Sequence, residues 1–189
     1  MTDWGNLINM IEVATDALVI DKEPSGEYNS RVFLYTEKLG GVVARATSLR
    51  KLTSKMAAHL EPLTFARVRL IQKNANGGFQ IADALTIDRV AGWRKSPEFL
   101  AEGLKLISIF KESGFAGDAD ELAWKVLFEI FINPPLEPAR QYGRRILNIL
   151  GYDHRNALCG LCGTGRPKIF SIRDLVFYCE ACLSGVRVA

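Results

Sequence analysis

The chain has 189 residues, 48% of them hydrophobic and 24% charged, with a formal net charge of +3. That is an ordinary soluble globular composition, long enough for one large or two small domains with a sizeable core. No run of about 18 apolar residues exists to span a bilayer and no signal-peptide pattern precedes the first strand, which excludes a membrane partner and points to the cytoplasm.

The mild basic bias permits nucleic-acid binding without arguing for it, because a dedicated basic patch matters more than the total. Trp4, Leu7, Ile8 and Ile11 stand at helical spacing and predict a short amphipathic turn as an N-terminal extension. From Ala14 to about Asp88 the pattern is that of strands: Ala17 to Ile20, Arg31 to Thr36, Val42 to Thr47, Thr64 to Gln72, and a return strand beginning at Phe79 to Ala82. Asn74-Ala75-Asn76-Gly77-Gly78 reads as the hairpin turn before the last of these. Five strands, with a longer connection between the third and fourth, predict a small barrel of OB type over residues 1–90.

That connection, Ser48 to Met56, carries Arg50, Lys51 and Lys55 and no negative charge. In the next strand Ala66, Val68 and Leu70 alternate with Phe65, Arg67 and Arg69, so an aromatic and two guanidinium groups are expected on the face turned away from the barrel core. Cations neutralise phosphates and an aromatic offers a stacking surface, which is how single strands are held without sequence preference. Arg45, on the preceding strand, joins this set by strand geometry.

After Asp88 the period lengthens to that of helices, which form a small bundle within residues 91–189. Ser96-Pro97 opens the first, with a stop near Gly114; Asp118 or Asp120 caps the second, which Pro134-Pro135 ends; Glu137-Pro138 opens the third, closed by Gly151. Arg140, Arg144 and Arg145 project from the third helix as a basic patch that reads more readily as a solvated exterior than as a phosphate site. Neither a glycine-rich phosphate loop, a nucleophile elbow nor a helical HExxH is present, and His59 and His154 stand isolated, so no enzyme is expected.

Cys159-Gly160-Leu161-Cys162 and Cys179-Glu180-Ala181-Cys182 contain the four cysteines of the chain. Two C-x2-C pairs at this separation predict one zinc ion per chain, held by Cys159, Cys162, Cys179 and Cys182 in a ribbon or knuckle module at about residues 153–186. Four thiolates close the coordination shell, so the metal is a structural staple. A redox dithiol usually stands alone at the start of a helix, and paired disulfides need an oxidising compartment.

An α+β chain with barrel, helical bundle and four-cysteine module in this order resembles the RecO family of bacterial recombination mediators. The resemblance rests on Asp16 to Ile20, Ser25-Gly26-Glu27, Leu34 to Gly40 and, most sharply, Arg50 to Thr64, with Ile146 to Tyr152 running into Cys159 to Gly163. It implies a non-enzymatic DNA-repair factor that binds single- and double-stranded DNA and anneals complementary strands. It further implies work beside a RecR-like protein and the single-strand DNA-binding protein, indirectly admitting a RecA-like recombinase, in a cytoplasmic, nucleoid-associated setting. Arg50, Lys51 and Lys55 match the family's basic loop and the four cysteines its zinc ligands, whereas Thr47-Ser48 stands where the family commonly has Lys-Gly. A zinc-stapled protein-interaction adaptor without direct DNA binding is the alternative that suits the modest net charge.

Overall fold

A computed structural model describes residues 10–74, 77–112, 117–133, 135, 139–164 and 167–184. Five strands, β1 (Ile11–Ser25), β2 (Asn29–Thr36), β3 (Gly40–Ala46), β4 (Thr64–Gln72) and β5 (Phe79–Asp88), close into a barrel in the order β1-β2-β3-β5-β4. All neighbours are antiparallel except β3 and β5, which run parallel through Ala44↔Phe79 and Arg45↔Gln80.

β1 starts earlier than the pattern of its apolar core suggests. Ile11 pairs with Gln72 of β4 as a strand residue and takes no part in a helical turn, because the pairing with β4 extends the ladder past the apolar run. Trp4, Leu7 and Ile8 lie outside the described residues. β1 also carries a register shift between Val19 and Asp21 that lets its second half turn onto β2.

The two faces of the barrel wall have separate cores. Inward, Ala17, Val19, Val32, Leu34, Val68 and Leu70 are fully buried, an interior of small and branched side chains closed off by Leu49 and Leu60 from the β3–β4 connection. Outward, Leu18, Ile20, Phe33, Tyr35 and Phe65 are covered by the helices. The side chains on one strand therefore alternate between two apolar environments, which is why β2 is almost entirely buried beyond Arg31.

The helices are α1 (Pro97–Glu112), α2 (Glu121–Ile132) and α3 (Ala139–Ile149). Ser96 Oγ accepts from the Phe99 N–H at 3.2 Å, and Asp120, not Asp118, caps α2 by accepting from the Ala123 N–H at 3.0 Å. Gly151, at φ 86°, follows α3 as expected, and the Tyr152 N–H donates to the Leu147 carbonyl at 2.8 Å. Gly114, Pro134, Glu137 and Pro138 lie outside the described residues, as do Ala75 and Asn76 of the β4–β5 turn.

Trp93 is the pivot of the bundle. It is fully buried, its indole N–H donates to the carbonyls of Ile130 and Asn133 at 3.1 Å each, and its ring packs on Phe131 and Tyr142. α1 approaches it closely because Gly103 has no side chain: a Cβ there would stand 2.8 Å from Leu63 Cδ2 and 3.1 Å from the Trp93 ring. Lys111 then ties α1 to the barrel wall. Its ammonium donates to Asp21 and Glu23 of β1 at 2.6 Å each and sits 4.8 Å from the centroid of the Phe33 ring.

A hairpin of β6 (Ile169–Ser171) and β7 (Val176–Tyr178) and a short turn of helix, α4 (Glu180–Leu183), complete the described fold. Phe177 is buried in the same cluster as the helices, and Phe170 stacks between it and Tyr152, so the hairpin is attached to the bundle through aromatic contacts. Among the described residues no helix is long and apolar enough to cross a membrane.

Candidate nucleic-acid interface and metal centre

The β3–β4 connection is pinned at both ends and projects in between. Leu49 and Leu60 are buried in the barrel and Met56 packs against the same cluster. Ser48 takes the left-handed conformation at φ 56°, with its N–H donating to Asn29 Oδ1 at 3.0 Å, and the Arg50 N–H donates to the Tyr28 carbonyl at 3.0 Å. A turn follows in which the Ser54 N–H donates to the Lys51 carbonyl at 2.9 Å. Arg50 reaches back to the Gly26 carbonyl at 3.2 Å, and the Lys51 ammonium lies 5.3 Å from the centroid of the exposed Tyr28 ring.

Beside this connection Arg45 of β3 stands directly opposite Arg31 of β2, both exposed on the outer face of the barrel. Like charges across a ladder repel, and an anion bridging them removes the cost. Among the described residues none of Arg31, Arg45, Arg50, Lys51 and Lys55 forms an ion pair; Glu23 of β1 is the other ladder neighbour of Arg31, but its carboxylate is held by Lys111. Arg67 and Arg69 differ from them. Arg67 forms a bidentate pair with Asp16, at 2.7 and 3.1 Å, and Arg69 meets Glu12 at 3.2 Å. Their charges are already matched on β1, the strand next to them.

Phe65 departs from the expected arrangement. It faces away from the barrel interior, yet it is 1% exposed beneath α2, edge-on to Trp124 at 5.8 Å and tilted on Phe128 at 5.1 Å. The outer face is apolar here because the bundle covers it, so this ring stacks on no base. Arg145 pairs with Glu129 at 2.9 Å, as suits a solvated exterior, while Arg144 lines a cleft with His154 and Lys168; the Arg140 side chain is outside the described residues. His59 is structural: its Nδ1 accepts from the Thr86 backbone N–H at 3.1 Å and holds the end of the connection to β5.

The four cysteine sulfurs all lie within 4.8 Å of one another, with Cys162 and Cys179 Sγ at 3.9 Å. A tetrahedral thiolate site with metal–sulfur bonds of about 2.3 Å requires sulfurs about 3.8 Å apart, so the donor set fits a single metal ion. The first knuckle is bent by Gly163 at φ 67°, whose N–H donates to the Cys159 carbonyl at 2.8 Å. Gly160 lies against the Val176 side chain with no room for a Cβ, which docks the knuckle on β7. Backbone N–H groups of Cys162, Cys179 and Leu161 hold the Cys159 thiol down to about 6. Hydrogen bonding to the Cys179 sulfur, then to Cys162, pushes Cys182 up to about 12. Sulfur anions crowded this closely resist ionising together, and a divalent cation between them removes that resistance.

Residues 10–88, the stretch from the start of β1 to the end of β5, match the family model described as Recombination protein O N terminal. The barrel is thus similar to the N-terminal domain of RecO proteins. A DNA repair protein RecO from Dehalococcoides mccartyi is 31% identical over 122 residues, which are 65% of this chain and 42% of that protein. The aligned stretch thus spans about two fifths of the relative it matches.

On this RecO-like barrel the six cations expected from the sequence fall into two groups. Among the described residues Arg45 of β3 and Arg50, Lys51 and Lys55 of the β3–β4 connection form no ion pair, whereas Arg67 and Arg69 are neutralised on the wall. Arg31, not among the residues expected from the sequence, stands beside the first group through its register with Arg45. The available signal was the alternation of β2, which places Arg31 on the face of Phe33, but its nearness to Arg45 depends on the β2–β3 register. Chemically, the unpaired group can screen a polyanion without reading it, since backbone phosphates attract cations regardless of sequence.

Proposed function

We propose that the chain is a DNA repair and recombination mediator whose OB-type barrel binds single- and double-stranded DNA through the β3–β4 connection and anneals complementary strands without nucleotide hydrolysis. The observation that carries this reading is the group of exposed cations that form no ion pair among the described residues, on a barrel similar to the RecO N-terminal domain. Annealing requires both strands to be neutralised while base edges stay free to pair, and contacts aimed at phosphates do this. The cysteine cluster holds one structural zinc ion: thiolate sulfur favours zinc among abundant divalent metals, and a filled tetrahedron leaves no position for substrate. Tyr152, Phe170 and Phe177 join that stapled hairpin to the bundle, so the metal acts on the fold and not on the DNA.

As a mediator the protein works beside a RecR-like protein and the single-strand DNA-binding protein, indirectly helping a RecA-like recombinase onto coated strands, in the cytoplasm at the nucleoid. The rate at which two complementary labelled strands anneal, with and without the protein across a salt series, tests the proposal. Acceleration that fades as salt rises supports it. Absence of both acceleration and single-strand binding at low salt overturns it in favour of a zinc-stapled adaptor, a reading that the neutralised Arg67 and Arg69 also suit.

A further inference from the structure

Leu52 is 107% exposed, more than any other large apolar residue described, and it stands at the outer corner of the turn whose Ser54 N–H donates to the Lys51 carbonyl. Single exposed leucines are common and ordinarily mean nothing. Here the surroundings give this one a use. Three residues earlier Leu49 is 4% exposed inside the barrel, so the chain buries one leucine of the connection and projects the next. The projection is held in place by backbone hydrogen bonds at Arg50, Lys51 and Ser54. Arg50 and Lys51 precede it and Lys55 follows it, none with a carboxylate partner among the described residues, and Lys51 lies over the exposed Tyr28 ring. An aliphatic tip flanked by cations and backed by an aromatic has the chemistry of a wedge: the cations hold phosphates while the tip enters between bases.

We infer that Leu52 is an unstacking wedge, inserting between two adjacent bases of a single DNA strand held by Arg50, Lys51 and Lys55. This rests on the DNA-binding function proposed above. A branched aliphatic side chain makes no hydrogen bonds, so it separates bases without selecting among them. A strand whose self-stacking is interrupted presents free base edges to its complement. A single strand is the better substrate than a duplex, because only stacking and no base pairing must be given up.

The test uses the full chain and a single-stranded oligonucleotide containing 2-aminopurine, whose fluorescence rises when it is unstacked, with anisotropy of an end label reporting binding separately. At saturation the wild-type protein is expected to raise the 2-aminopurine signal. Leu52→Ala is expected to bind the strand and lose that rise, Leu52→Met to keep it, and Arg50→Ala with Lys51→Ala to weaken binding itself. Leu52 makes no buried contact, so the melting temperature of Leu52→Ala should equal that of the wild type, which excludes misfolding as the cause. Binding by the wild type with no fluorescence rise, or an undiminished rise with Leu52→Ala, overturns the wedge and leaves the DNA-binding function standing. Absence of anisotropy change for the wild type at low salt removes that function and the wedge with it.

Discussion

Arg67 and Arg69 each carry the same single positive charge as Arg50 and Lys51, yet their neighbours differ. The Asp16 and Glu12 carboxylates already satisfy the strand arginines, while the cations of the connection and Arg31 form no ion pair among the described residues. Each phosphate contact made to a single strand contributes about 0.7 to the slope of log affinity against log salt, so Arg50→Ala with Lys51→Ala should flatten that slope by about 1.4. Arg67→Ala with Arg69→Ala should change it far less, and Arg31→Ala alone should lower affinity for all sequences alike. Anisotropy of a labelled strand at stepped salt separates these cases; an equal flattening by both double variants would show that DNA displaces Asp16 and Glu12 from their arginines.

Among the elements, those built from local spacing are legible in the sequence. The C-x2-C pairs define their cluster because each knuckle is only four residues long, and the Ser96 cap and Gly151 follow from what a helix end demands of its neighbours. The outer face of β4 was legible only as an alternation. Whether Phe65 or Arg67 meets solvent depends on which part of the wall α2 covers, and that contact joins residues far apart in sequence. The cysteine module carries a prediction of its own: protein purified under reducing conditions should hold about one zinc per chain by metal analysis. Removing it with a chelator, or substituting Cys179→Ser, should open residues 153–184 to protease while β1 to β5 stay resistant. Because thiolates are the ligands, acid should release the metal as protons compete for sulfur, which a zinc-sensitive dye would follow.

Across the whole molecule, barrel and helices are joined by one apolar cluster that contains Leu18, Phe33 and Phe65 from the wall and Trp93, Leu127 and Phe131 from the bundle. Phe65→Ala should therefore cost about 3–5 kcal/mol and lower the midpoint for both parts together, as judged by coincident far-ultraviolet dichroism and tryptophan fluorescence during urea unfolding. Lys111 adds a pH-dependent clamp. Hydrogen bonds to Asp21 and Glu23 raise its pKa above 10.5, so its contribution is complete below that value and lost as pH rises through the raised one. Lys111→Met should remove about 1 kcal/mol at neutral pH and make the protein's stability less sensitive to alkali, measurable as denaturation midpoints from pH 8 to 12. The wall itself is uneven. β3 and β5 share two residue pairs, whereas the other neighbouring strands share seven to nine. That short parallel contact is the clasp of the cylinder. In heavy water its amides near Ala44 and Gln80 should take up deuterium before those of the β1–β4 ladder, and a strand lying across Arg45 would slow that uptake by holding the clasp shut.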